Sequence, residues 1–415
     1  MSKLEEFLKK HCPDGVEYVP LWSVTIWDKK FNSVDKDKQK TTIKYKYYLA
    51  DELKELVVEN GDVKILTTNI SNLFTLEKLV SNSLSYGEIV CIPWGGNPIV
   101  QYYKGKFITS DNRIATSIDV NKLDNKFLYY VLINKLDLIS SFYRGAGIKH
   151  PDMSRVLDII IPLPPIEVQK EIVRILDIFT KYQDLLNREL ELRKKQYEYY
   201  RDKLLTFTEG TQSCGDEVEK IQLKDLFYTK NGYTPSKSNP EFWDSKDVSW
   251  FRMEDIRENG RILNEAIQKV SFSAIKGNVF PKNSIIVSTS ATIGEHALIT
   301  CESLANQRFT YLILKDEYKN KFNIFFLFYY CYKLKEYCLN CLNQGNFASV
   351  DMTKFNKFEF PIISLKEQER IVKILDQFDT LCNDITRGLP AEIELRKKQY
   401  EYYRDKLLTF KEKKK

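Results

Sequence analysis

No stretch of this 415-residue chain approaches the run of about 20 apolar residues that a membrane-spanning helix requires, and the opening segment MSKLEEFLKK is charged, without the apolar centre of a signal peptide. A cytoplasmic protein is expected. Histidine is scarce: His11, His150 and His296 lie far apart with no ligand-spaced partners, which argues against a metal centre. The eight cysteines follow no regular spacing in a chain large enough to need no staples, so they are expected to be reduced and buried. Cys338-Leu339-Asn340-Cys341 is the one CxxC, but it sits in an apolar helical stretch without a second pair, which favours a silent buried pair over zinc. Excess charge of one sign is missing too, since 63 Lys+Arg against 57 Asp+Glu leave +6. Any nucleic-acid contact must therefore come from local patches.

Motifs for catalysis are also lacking. No Walker A sequence and no nuclease carboxylate-lysine cluster stands out. Asn239-Pro240-Glu241-Phe242 lacks the second proline of the Asn-Pro-Pro-aromatic element of an amino-methyltransferase, and Trp94-Gly95-Gly96-Asn97-Pro98 has neither the spacing of a dinucleotide turn nor a helix behind it. Both read as loops.

What the chain does contain is a repeat. ELRKKQYEYYRDKLLTF occurs twice, letter for letter, at Glu191 to Phe207 and at Glu394 to Phe410, an offset of 203 residues. Identity over that length marks a tandem duplication. Leu186, Leu190, Arg193, Tyr197, Tyr200, Leu204 and Phe207 step alternately by 4 and 3, and Leu389, Ile393, Arg396, Tyr400, Tyr403, Leu407 and Phe410 do the same. That is a heptad seam, and the two seams are expected to pair with each other. Arg193 and Arg396 sit at seam positions, where a polar residue sets register, and the other charges of the run read as a solvated face.

Around the repeats the chain alternates in texture. Short apolar runs at Val63 to Leu66, Glu88 to Pro93, Lys106 to Thr109 and Arg113 to Ile118 predict strands, and Asn125 to Tyr143 predicts a helix. After Pro162-Leu163-Pro164-Pro165 one helix of about 40 residues is expected, roughly 60 Å long at 1.5 Å per residue. A polar linker at Thr208 to Asp216 follows. The second half repeats the order, with strands at Ser284 to Ser288 and Arg308 to Leu314 and a helix at Phe322 to Leu342. PIISLKEQERIVKILD at Pro361 matches PLPPIEVQKEIVRILD at Pro162 with an offset of 199, so four extra residues enter before the second repeat. They fall around Arg387-Gly388-Leu389-Pro390, where Gly then Pro suggests one helix stopping and another starting. The terminal Lys413-Lys414-Lys415 is expected to be disordered.

The fold class expected is α+β, with two mixed domains at 1–160 and 211–360 separated by long helices at 161–210 and 361–415 that run antiparallel with an internal pseudo-two-fold. Two-fold protein symmetry suits split sites on a duplex, with the helices setting the spacing. The order of variable domain, PLPPIEVQKEIVRILD helix, variable domain and EQERIVKILD helix ending in RKKQYEYYRDKLLTF resembles the specificity subunit of type I restriction-modification enzymes. Ile92-Pro93-Trp94-Gly95-Gly96 with Ser110 to Ala115, and Ser290-Ala291-Thr292-Ile293-Gly294 with Asn306-Gln307-Arg308, resemble that family's target-recognition domains. The resemblance implies a chain without catalysis that reads a bipartite DNA site. It also implies two modification subunits that methylate adenine with S-adenosylmethionine, and restriction subunits that use ATP, so that these cofactors and Mg are held by the partners and none by this chain.

Residues for DNA contact are expected in the two domains: Lys104, Lys106, Arg113, Lys149, Lys230, Lys237, Arg252 and Arg308, beside aromatic and polar residues in segments that read as turn-rich. Arg and Lys pair guanine edges or phosphates. Two rival classes bear on the same residues. A methyltransferase would bind S-adenosylmethionine by itself, and a protein-only scaffold would show no salt-dependent duplex binding.

Overall fold

The computed structural model of the chain describes residues 3–207, 218–244, 246–343, 348–384 and 386–413. The expected linker at 208–216, Cys214 within it, and Lys414 and Lys415 lie outside the described residues. The fold is α+β, and the chain divides into two units, one of residues 1–184 with 395–415 and one of residues 185–394.

The first unit begins with a helix, Lys3–His11. Its centre is a six-stranded sheet of β1 (Thr25–Trp27), β2 (Val63–Leu66), β3 (Phe74–Thr75), β4 (Ser85–Pro93), β5 (Gln101–Thr109) and β6 (Asn112–Ser117), in the spatial order β1-β6-β4-β5-β2-β3. The apolar runs form strands because alternate side chains enter cores on the two faces. Val90 and Ile92 of β4 face the cluster built on α1 (Asn125–Asn134), while Ile89 and Cys91 face a smaller one with Phe107 and Ile114. Asp124 caps α1, its carboxylate accepting from the N–H groups of Lys126 and Phe127. Entry and exit of the strand-rich module are clasped together, with Glu17–Pro20 antiparallel to Ile160–Leu163.

The second unit repeats the plan. β7 (Phe227–Asn231), β8 (Val248–Phe251), α2 (Met253–Asn259), β9 (Ile262–Leu263), β10 (Ser284–Ser288), β11 (His296–Ile299), β12 (Ser303–Ala305), β13 (Phe309–Leu314) and α3 (Ile324–Leu339) follow in chain order. Their main sheet runs β7-β13-β10-β11-β9, and β8 pairs in parallel with β12 in a second sheet. Lys220–Gln222 is clasped antiparallel to Glu359–Pro361.

Helix α4 (Ile166–Leu204) runs unbroken for 39 residues, its first part in the first unit and its last in the second. The second helical region is split into α5 (Leu365–Asn383) and α6 (Leu389–Leu407), each of 19 residues. The four extra residues are thus spent on a turn. Asp384 holds that turn by accepting from the N–H groups of Thr386 and Arg387 and from the Thr386 hydroxyl, contacts that pull its carboxyl down to about 2. Helix resumes with Pro390 in the first turn, where a missing N–H costs nothing.

Within the first unit Phe179 of α4 stacks on Tyr403 of α6 at 5.4 Å, and Tyr182 lies under Arg396. One helix advances as the other retreats, so they are antiparallel. In the second unit Tyr200 of α4 stacks on Phe378 of α5 at 5.7 Å and Tyr197 does so at 6.1 Å. These stacks correct the expectation that the identical runs pair with each other. Antiparallel helices meet end to beginning, so each run packs on the helix upstream of the other copy. Tyr197, Leu205, Leu407 and Leu408 are buried. Leu190, Leu204 and Phe207 are partly buried against the second unit's core, Tyr400, Tyr403 and Phe410 against the first's, and Leu389 and Ile393 are half-buried. The carboxyl-terminal tail is also placed further than expected: the Lys413 N–H donates to Val16 O at 2.9 Å.

The two units share internal detail at the sequence offsets. Gln169 donates to the carbonyls of Lys122 and Pro164 and accepts from the Asp124 N–H; Gln368 donates to those of Lys321 and Ile363 and accepts from the Asn323 N–H. The Tyr130 hydroxyl donates to Asp177 at 2.6 Å, and that of Tyr329 to Asp376 at 2.6 Å. Each buried amide lies where the strand-rich module passes into its helix, so the same polar lock sets the exit angle twice.

Helix α3 packs over His296 of β11, which is fully buried between the rings of Phe328 and Tyr332 with Nδ1 against Gly294 O at 3.0 Å and Nε2 without a partner. Burial, and then the nearby Arg261, push its pKa down to about 3. The folded state therefore holds this ring neutral. The unfolded chain takes up the proton near pH 6.5, so stability is complete above that value and is lost as pH falls toward 3. Between pH 6.5 and pH 4 this site should cost on the order of 3 kcal/mol, a loss absent from His296→Gln. Urea unfolding of both proteins at the two pH values checks it: equal losses would mean that the imidazole is not what titrates.

Candidate nucleic-acid interface

In the second unit, the end of β8, the start of α2, the 3₁₀ turn Pro240–Phe242 and the loops before β13 and after β10 enclose a cleft of about 950 Å³. Lys237, Arg252 and Arg308 line it together, three of the eight residues singled out by sequence. Arg257 joins them, a residue that sequence reading missed although it stands four positions after Met253 on the same helix. Against these four cations stand two carboxylates, Asp244 and Glu254, with Glu254 3.9 Å from the Arg252 Nε. Polar groups fill the rim. Thr234 donates to Gln307 Oε1, and Asn306 Oδ1 accepts from the Arg308 N–H at 3.0 Å. The wall is aromatic, with Trp243 edge-on to Trp250 at 5.0 Å and the Arg252 guanidinium over Trp250 at 5.7 Å. Cations, amides and an aromatic wall in one cleft suit phosphates and base edges. Ala291, also lining the cleft, has φ of 64°, a conformation costly for a residue with a Cβ and often kept at binding sites.

The first unit treats its equivalent arginine otherwise. Arg113 is 1% exposed, so its expected role in DNA contact is corrected. Its Nη1 donates to Asp28 Oδ2 at 2.9 Å, its Nη2 to Asp111, and its guanidinium lies over Trp94 at 4.7 Å. Asp28 also accepts from the Ile114 N–H at 2.8 Å and from the Tyr47 hydroxyl. Burial raises the Asp28 pKa more than the Tyr47 hydroxyl and the Arg113 charge lower it. Two charges are withdrawn from solvent with good geometry, which is a structural lock.

The remaining residues are scattered. Lys104 and Lys106 lie within β5 rather than in turns, paired with Glu88 at 3.1 Å and with Glu77, and hydrogen bonds to these carboxylates raise both pKa values. Lys230 lies within β7, its ammonium 5.6 Å above the Phe280 ring. Lys149 is exposed in the loop whose His150 holds the Trp94 carbonyl at 2.7 Å. The single CxxC holds two buried thiols, and burial pushes Cys338 up to about 12. Among the described residues no helix is long and apolar enough to cross a membrane, and no cluster of His, Cys, Asp and Glu has the makings of a metal site.

The two units are built to one plan, each a strand-rich module clasped to a helical stem, and they differ in their polar loops. The family of type I restriction modification DNA specificity domains matches residues 30–193 and again residues 215–395, and the chain belongs to that family. It is 37% identical over 321 residues to the EcoR124I/EcoR124II specificity subunit of Escherichia coli, covering 73% of this chain and 75% of that protein. The EcoprrI specificity subunit of Escherichia coli is 55% identical over 206 residues, so the match spans about half of each, 48% and 51%. A putative specificity subunit of Haemophilus influenzae is 33% identical over 339 residues, 78% of this chain and 83% of that one. Among solved structures, the specificity subunit of a type I system from M. genitalium superposes with a TM-score of 0.54 over 95% of both chains at 16% identity. A chain from a study of complex assembly in the type I system does so at 0.57 over 96% of this chain and 98% of that one, at 15% identity. Likeness at this identity concerns the fold.

Proposed function

We propose that the chain reads a bipartite, asymmetric DNA site, one half with each strand-rich module, and docks two copies of one modification subunit together with restriction subunits. The modules, target-recognition domains in this reading, fall at 1–160 and 211–360, with helical spacers at 161–210 and 361–415. S-adenosylmethionine, ATP and Mg belong to the partners, and the complex acts in the cytoplasm. The observation that carries the reading is the contrast between shared stems and unshared loops. The Gln169 and Gln368 locks and the Phe179–Tyr403 and Phe378–Tyr200 stacks match, whereas one module has the buried Asp28–Arg113 lock and the other an open cationic cleft.

Two identical docking surfaces follow from the repeated run. Core packing explains identity at the seam, but Leu192 and Tyr199 in the second unit are 51% and 61% exposed, and their copies Leu395 and Tyr402 in the first are 66% and 62% exposed. Exposed apolar residues kept in duplicate suit one partner bound twice. Mapping methylated adenines in DNA exposed to the chain with its modification partner tests the reading. A two-part, non-palindromic site is expected, and a continuous or palindromic site would count against it.

A further inference from the structure

We propose that Arg308 reads a guanine in the half-site taken by the second module, and that Arg113, at the equivalent place in the first, reads no base. This rests on the DNA-reading function proposed above and names one of its contacts. Strand register makes the equivalence. In the first unit Trp27 pairs with Ala115 and the Asp28 N–H donates to Ile114 O at 2.9 Å; in the second Asn231 pairs with Thr310 and the Gly232 N–H donates to Phe309 O at 2.9 Å. Asp28 and Gly232 therefore hold the same place, and Arg113 and Arg308 each directly precede the accepting residue.

The exchange of aspartate for glycine decides the fate of the arginine. Asp28 draws Arg113 into the protein, where Nη1 and Nη2 are both spent on carboxylates. Gly232 brings no carboxylate, and no side chain fits there, since a Cβ would stand 2.3 Å from Ala305 O and 2.6 Å from Asn306 O. Arg308 stays exposed and lines the cleft. Its backbone is meanwhile pinned at both peptide groups: the N–H donates to Asn306 Oδ1 at 3.0 Å and the carbonyl accepts from the Thr289 N–H at 2.9 Å. A guanidinium fork on a fixed strand entry matches O6 and N7 of guanine with two parallel hydrogen bonds. Lys237 has no fork, Arg252 is engaged with Trp250 and Glu254, and Arg257 stands on helix α2 rather than at the pinned strand entry. A carrier held rigidly in register is what base reading requires and phosphate binding does not.

The test is methylation mapping with the full chain in complex with its modification partner. The unaltered complex should return a fixed guanine in one half-site. Arg308→Ala should make that position degenerate, its preference for guanine falling roughly 5- to 150-fold, and leave the other half-site unchanged. Arg308→Lys keeps the charge and loses the fork, so it should relax the same position. A site with no guanine in either half, or variants that keep the guanine while methylation falls uniformly, would overturn the assignment and leave the two-part reading standing. Failure of the unaltered complex to return a two-part site would overturn both.

Discussion

Arg113→Ala is expected to destabilise the first unit by about 3–5 kcal/mol, because it leaves the buried Asp28 carboxylate without its countercharge. For a unit of some two hundred residues each kcal/mol moves the melting temperature by about 2–4 °C, so a fall on the order of 10 °C should be seen by calorimetry. The loss should exceed the value of the ion pair itself. Asp28 keeps the Tyr47 hydroxyl and the Ile114 N–H, but its charge then lies in a site already costly enough to raise its pKa. The double variant Arg113→Met with Asp28→Asn should recover much of the loss, since it removes both charges and keeps an acceptor for Ile114. A single variant that melts within a degree of the parent would mean that Arg113 is free to leave its pocket, which would return it to the residues able to meet DNA.

A half chain ending near Thr211 is expected to form an isologous dimer. The first unit is completed by residues 395–415, with Leu407 and Leu408 buried in its core and Tyr400, Tyr403 and Phe410 packed against it. A half chain lacks them. It carries instead Tyr197, Tyr200, Leu204, Leu205 and Phe207, the same residues in the same order, and can lend them to a second half chain that returns the favour. Each large apolar side chain buried contributes roughly 1.5–3 kcal/mol, so a monomer leaving five sites open is strongly disfavoured. Tyr200 would take the place of Tyr403 on Phe179, and Asp202 that of Asp405, which accepts from Asn134 at 2.7 Å. Sedimentation should show a dimer, and Leu204→Asp with Leu205→Asp should abolish it. A half chain that sediments as a monomer at high concentration would show that the runs are not interchangeable. With a modification partner, the dimer should methylate a palindromic site.

Much of the fold was legible in the residues alone. The heptad steps predict a helix of about 40 residues, and α4 has 39; Val63–Leu66 and Ser284–Ser288 are strands with the expected bounds. The shift in offset from 199 to 203, with Gly388 and Pro390 beside it, locates the interruption between α5 and α6. These properties are local. Periodicity, a proline in a first turn and a repeated run all act on neighbours along the chain, so the order of letters is enough to determine them.

Partners and burial were decided elsewhere. Nothing within the run at 191–207 says that its tyrosines will stack on Phe378 rather than on their own copies; the antiparallel packing of the helices decides it. Arg113 and Arg308 look alike in sequence, each an arginine at the start of a strand. Their difference lies in Asp28, 85 residues before Arg113, and in Gly232, whose backbone leaves no room for a side chain. The field at a guanidinium is set by charges a few ångströms away in space, whatever their distance along the chain, and only the tertiary structure brings those charges to it or keeps them away.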